Sequence, residues 1–181
     1  MSTHSERRVA LREEIFGSEA ALESPEKGWF KASRALPHVL GLLASKKVSG
    51  EVDATRVYLE LLARHIDSGF VELGSEADHA FASGYSGDRA IRTWRERMKT
   101  LEKTGFIKTK PSGTQPYKYV LLVPTEVVID KLKRAGKVST DWTAAYHARR
   151  LETGEITPPA KPKPESDKPK RIRRGNVIPS G

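Results

Sequence analysis

Apolar positions along this chain recur mostly at the three- and four-residue spacing of helices, with short stretches where the spacing drops to two. Within residues 29–50, Trp29 and Phe30 precede a stripe of Leu36, Val39, Leu40 and Leu43, which predicts one short helix. Pro37 fits it only in the first turn. Lys46 and Lys47 suit its C-terminus, and Ser49-Gly50 ends it. Asp53 is a candidate N-cap for a second helix, whose face carries Val57, Leu61, Leu62 and Ile66 and which Ser68-Gly69 stops. Phe70, Val71, Glu72 and Leu73 read as a strand. Ser75 to Asp78 has the capping-box pattern with Asp in place of Glu, opening a short helix through EADHAFAS. A turn, Gly84-Tyr85-Ser86-Gly87, leads to a longer helix from about Asp88 to Lys103, closed by Gly105. Two strands, FIKTK and PYKYVLLV, then flank the turn PSGTQ. The expected fold is mainly α with a small β-hairpin, an α+β arrangement.

Three regions flank this one. Residues 1–28 hold SERRVALREEIF, helical in composition, then a break; they form either a frayed arm or a dimerisation element. Residues 124–153 read as two helices: Pro124 suits a first turn, Val127, Val128 and Leu132 are apolar, Gly136 interrupts, and Ser139 or Thr140 caps DWTAAYHARRLE. They too could form a dimer contact. Residues 154–181 are rich in proline and charge and lack aromatics, so disorder is expected there. The domain is thus expected to span 29–123.

Charge changes the picture. The net charge is +9 and the isoelectric point about 9.8. A basic balance attracts polyanions, of which nucleic acid is the commonest. The positive residues are concentrated: from Arg89 to Lys110 eight basic side chains face two acidic ones, a net of +6. On a helix at about 100° per residue, Ala90, Ile91, Trp94, Met98 and Leu101 fall on one side. Arg89, Arg92, Thr93, Glu96, Thr100 and Lys103 fall on the other, with Arg95 and Arg97 at the boundary. One face can pack while the opposite face stays basic. Trp94 is read as core, and Tyr117 and Tyr119 as facing inward from the hairpin.

This stretch, SGYSGDRAIRTWRERMKTLEKTGFIKTKPSGTQPYKYVLLV, resembles the recognition helix and wing of the winged helix-turn-helix superfamily of bacterial regulators and plasmid replication initiators. The resemblance rests on a basic helix ending in Leu101-Glu102-Lys103-Thr104-Gly105 followed by Phe106-Ile107, and covers about 70 of the 181 residues. It implies that the helix enters the major groove of double-stranded DNA and that the hairpin meets the backbone or minor groove. The physical reading agrees. A major groove admits a helix, and a two-pronged Arg donor matches guanine O6 and N7. Arg89, Arg92 and Thr93 are the expected base contacts. Ser86 stands at the helix start, where free N–H groups can hold a phosphate. Arg97, Lys103, Lys108, Lys110, Thr114 and Lys118 complete the expected contact set. The run KPKRIRR near the C-terminus is either a further phosphate-binding arm or a solvated tail.

Other chemistries find little support. There are no cysteines, which removes disulfides and thiolate sites. The five histidines show no metal spacing, and neither a phosphate-binding GxxxxGK[ST] loop nor a GxSxG elbow occurs. No enzyme, cofactor or metal is expected. No apolar run approaches the roughly 18 residues of a membrane span, and the polar N-terminal stretch lacks a leader's apolar region. A cytoplasmic, nucleoid-associated bacterial protein is expected, with a homodimer as its form. Three functions compete: a sequence-specific transcription regulator, a plasmid or mobile-element replication factor binding origin repeats, and a winged helix serving protein interaction without DNA.

Overall fold

The computed structural model describes residue 28, residues 30–65 and residues 69–157. The expected N-terminal arm, Trp29, Ile66, Ser68 and the basic tail with its KPKRIRR run lie outside the described residues. The chain forms α1 (Leu36–Ala44), α2 (Lys46–Ser49), α3 (Thr55–Arg64), β1 (Phe70–Glu72), α4 (Glu76–Ala82), α5 (Ala90–Thr104), β2 (Ile107–Ser112), β3 (Gln115–Leu122), α6 (Thr125–Arg134) and α7 (Thr140–Glu152). A mixed fold of helices and one small antiparallel sheet is therefore what the described residues adopt, with one helix more than the sequence predicts.

The local differences have local causes. The single helix expected in 29–50 is two, because Ser45 is extended at φ −76° and ψ 135°. Its amide and its hydroxyl both donate to the Leu42 carbonyl, at 3.1 and 2.8 Å, which closes α1 there. Lys46 and Lys47 consequently open α2 instead of finishing α1. In α1 the buried residues are Val39, Leu42 and Leu43, while Leu36 and Leu40 pack at the edge. Asp53, the expected N-cap, stands one residue ahead of the actual cap of α3, Ala54, which makes no side-chain cap bond; the Asp53 carboxylate accepts the Thr55 amide at 2.8 Å and the Thr55 hydroxyl at 2.7 Å instead. That helix ends early, at Arg64, because His65 is extended. Ser75 precedes α4 without making a side-chain cap bond, so the capping box is not formed.

The sheet has the order β1-β3-β2, with β3 central and antiparallel to both neighbours. Phe70 pairs with Leu121 and Glu72 with Tyr119 on one side; Lys108 pairs with Leu121 and Lys110 with Tyr119 on the other. Side chains alternate across a sheet, so Val71, Ile107, Val120 and Leu122 face the core while Phe70, Tyr119, Leu121, Lys108 and Lys110 share the outer face. Tyr119 therefore departs from its expected inward position: it is exposed and stacks on Phe70, with ring centroids 6.1 Å apart. Tyr117 does turn inward, its ring meeting Trp94 edge-on at 5.8 Å. Strict alternation lapses at Tyr117 and Lys118, both half-buried, where β3 passes a register shift between Lys110 and Ser112. Pro111 lies in that irregularity on edge strand β2, where its missing N–H is least costly.

The core is continuous. Trp94, Met98 and Leu101 of α5, Phe106 after it, Val57 and Leu61 of α3 and Leu43 of α1 are all buried, and Val128, Ile129, Leu132 and Tyr146 of α6 and α7 join the same cluster. Gly105 lets α5 stop sharply: at φ 87° it sits in the left-handed region, and the Phe106 amide returns to the Leu101 carbonyl at 3.0 Å. The end of α7 is tied to the start of the described chain by Glu155. Burial alone would raise that carboxyl, but hydrogen bonds from Ser33 Oγ, the Arg34 amide and Thr153 Oγ1, with Arg150 beside it, hold it below the ordinary 4.5.

Two outcomes test this packing. Trp94→Ala leaves a large cavity and should lower unfolding free energy by about 3–5 kcal/mol in urea titrations. Glu155→Gln removes a charge-assisted tie. Because the folded carboxyl titrates low, its contribution is complete above the unfolded value and is lost as pH falls through the folded one. The variant should be about 1 kcal/mol less stable than the parent at pH 7, with the difference closing as pH drops below 4.5.

Candidate nucleic-acid interface

The candidate surface is built on α5. Its inner face is fixed by Trp94, Met98 and Leu101, all fully buried, with Thr104 buried at the last turn. Trp94 lies between Tyr117 of β3 and His79 of α4, whose ring stacks against it at 6.0 Å and 23°. His79 is itself buried and doubly held: Nε2 accepts the Gly74 amide at 3.1 Å, and Nδ1 stands 3.0 Å from Glu60 Oε1 of α3. The two ring nitrogens thus face different partners, a backbone amide on one side and a carboxylate on the other. Arg64 also bonds Glu60. The histidine, adjacent to Asp78 and without metal spacing, thus locks α3, α4 and the loop after β1 around the root of α5. Sequence reasoning gave it no role; its partners Glu60, nineteen residues upstream, Gly74 and Trp94 together explain its burial.

The turn between α4 and α5 follows the expected residues. Gly84 and Gly87 have φ of 80° and 79°. A Cβ at Gly84 would come within 3.3 Å of the end of the flexible Arg56 side chain, so it is the positive φ that favours glycine here. The Ala90 amide bonds the Gly87 carbonyl at 3.0 Å, and α5 proper begins at Ala90, two residues later than expected. Arg89 is therefore the cap residue, exposed, and Ser86 lies in the turn ahead of it instead of at the helix start.

The expected contact residues divide. Arg92 is highly exposed, its side chain 81% accessible, and lies 3.5 Å from Glu96. Arg89, Lys99 and Lys103 are exposed on the same side. Thr93 and Thr100 are half-buried. Arg97 is turned in: it donates to the Thr93 carbonyl at 3.1 Å, approaches Glu96 at 3.3 Å and covers the Tyr85 ring at 5.3 Å. It braces the turn onto α5. Arg95 is bound to Glu76 of α4, whose carboxylate raises the guanidinium's affinity for its proton. Ile91, expected in the core, is exposed, since it sits about 60° around the helix from Trp94.

The hairpin also divides. Thr109 faces α5 and donates to Glu102 at 2.6 Å, so Lys108 and Lys110 point to the other side of the sheet, beside Leu121 and Tyr119. Lys118 is half-buried, bonded to the Leu73 carbonyl and to Glu72, each at 3.0 Å. Thr114 stands exposed at the tip, in the two-residue turn with Gly113. The concentration of positive charge read along the sequence is thus split between the exposed side of α5 and the outer sheet face, with Arg95, Arg97 and Lys118 committed internally.

Among the described residues no group of acidic, histidine or cysteine side chains is arranged to hold a metal, and no helix is long and apolar enough to cross a membrane. No known protein family, no curated protein and no solved structure matches the chain.

The division of the arginines is measurable. Arg97→Ala should cost about 1–2 kcal/mol through its lost backbone bond and aromatic contact. Arg92→Ala should stay within about 0.5 kcal/mol of the parent. Thermal unfolding of the two variants side by side reads the contrast.

Proposed function

We propose that this is a DNA-binding protein of the winged helix-turn-helix kind, acting as a sequence-specific transcription regulator. The observation that carries the reading is α5: one face is buried around Trp94, while the opposite face presents Arg89, Arg92, Lys99 and Lys103 to solvent. The order α3, β1, α4, α5, β2, β3 and the sheet order β1-β3-β2 support it. In this reading α4 and the Gly84–Gly87 turn set the angle of α5 in a major groove, where Arg89 and Arg92, at its N-terminal end, address base edges. Thr114 and the hairpin tip lie along the backbone. Val127 and Leu151, exposed on α6 and α7, are among the apolar positions available to a homodimer contact.

The test is duplex binding by fluorescence anisotropy over a salt series, with sequences drawn by selection from random DNA. The log of affinity should fall linearly with log salt, by roughly 0.9 per phosphate contact. Arg89→Glu combined with Arg92→Glu should abolish binding while circular dichroism stays native. Wild-type protein without salt-dependent affinity for any duplex would sink the proposal. Inverted repeats among the selected sequences would mark a dimeric regulator. Direct repeats would instead mark a replication factor.

A further inference from the structure

The exposed side of α5 does not end at the helix. Along its C-terminal half it runs into a groove of about 460 Å³ shared with α2 and the link between α6 and α7. Lys99 and Lys103 come from α5, Lys46 and Lys47 from α2 and Lys137 from the link, with Glu96 the one acidic side chain in the lining. Lys46 pairs with Glu51 at 3.0 Å, both ends well exposed. The other four lysines make no ion pair among the described residues. A concavity lined by one sign of charge concentrates the positive field within it. Its place relative to α5 gives that field a use. Glu102 and Thr100 lie about 160° apart around the helix. Glu102 touches β2 through Thr109, and Thr100 lines the α2 groove. The hairpin and α2 therefore flank α5 on opposite sides, with Arg92, Lys99 and Lys103 midway between them on the exposed side.

We infer that Lys47 and Lys137, outside the helix-and-hairpin unit, form a second track for the DNA backbone on the side of α5 away from the hairpin. The inference rests on the DNA-binding reading above. An α-helix with side chains is about 10–12 Å across, and the major groove is about 12 Å wide. Elements packed directly beside such a helix must meet the rims of the groove, which are phosphates. The hairpin meets one rim, and α2 with Lys137 meets the other. Lysine suits this task, since a mobile point charge neutralises a phosphate without reading a base.

The experiment compares the full chain with a Lys47→Gln, Lys137→Gln double variant, both checked by circular dichroism and thermal unfolding, against several duplexes at several salt concentrations. The double variant should bind every duplex alike more weakly, by roughly ten- to fifty-fold near 0.1 M salt, and its salt slope should be smaller by about 1.8. Its ranking of the duplexes should be unchanged. An unaltered slope and affinity in the variant, with the wild type binding normally, would overturn the second track and leave the DNA-binding reading intact. A loss confined to one duplex would also overturn it, since that is the mark of base contact. If the wild type binds no duplex, the DNA-binding reading falls and this inference falls with it.

Discussion

Trp94 occupies the point where α4, α5 and β3 meet, and its burial sets the orientation of everything around it. The indole is closed in by His79 on one side and Tyr117 on another. A rigid ring with two such neighbours leaves α5 little freedom to rotate about its own axis. Rotation would expose Met98 and Leu101, each fully buried in line with it. Removing large apolar side chains from contact costs about 1.5–3 kcal/mol apiece. The direction in which the basic side chains of α5 point is therefore a consequence of what is packed on its opposite face.

The order of elements was legible because it depends on short-range signals that compete with little else. The Gly84–Gly87 turn, the Gly105 stop and the two-strand hairpin each follow from side chains within a few residues. What escaped depended on partners distant in sequence or on competing local bonds. Ser45 ends a helix that its apolar pattern would continue, because one serine can place both its donors on a single carbonyl. Tyr119 and Tyr117 look equivalent in an alternating strand, yet the irregularity opposite them separates their fates. His79 gains its role from Glu60 and Gly74, neither of which its own helix reveals.

The candidate surface was legible in composition but not in arrangement. Counting arginines and lysines along a segment treats every charge as free. Arg95 spends its charge on Glu76, Arg97 on the Thr93 carbonyl and Glu96, and Lys118 on Glu72. Such bonds reduce the field these residues project and add to the rigidity of the scaffold. Conversely, Lys46, Lys47 and Lys137 lie far from α5 in sequence and join its basic side only through folding. A linear charge count errs in both directions, and burial and pairing decide which charges face outward.

His79 shows the same economy applied to a buried site. An unpaired carboxylate in the interior is costly. Glu60, its side chain almost fully buried, is instead met at Oε1 by Arg64 at the helix surface and by Nδ1 of His79 from within. The histidine's other nitrogen accepts the Gly74 amide, which ties the loop after β1 to the same ring. Polar atoms joined to one another thus brace the base of α5 from the inner side, where the ring stacks on Trp94, and the unpaired positive charge of the helix is left to its outer side.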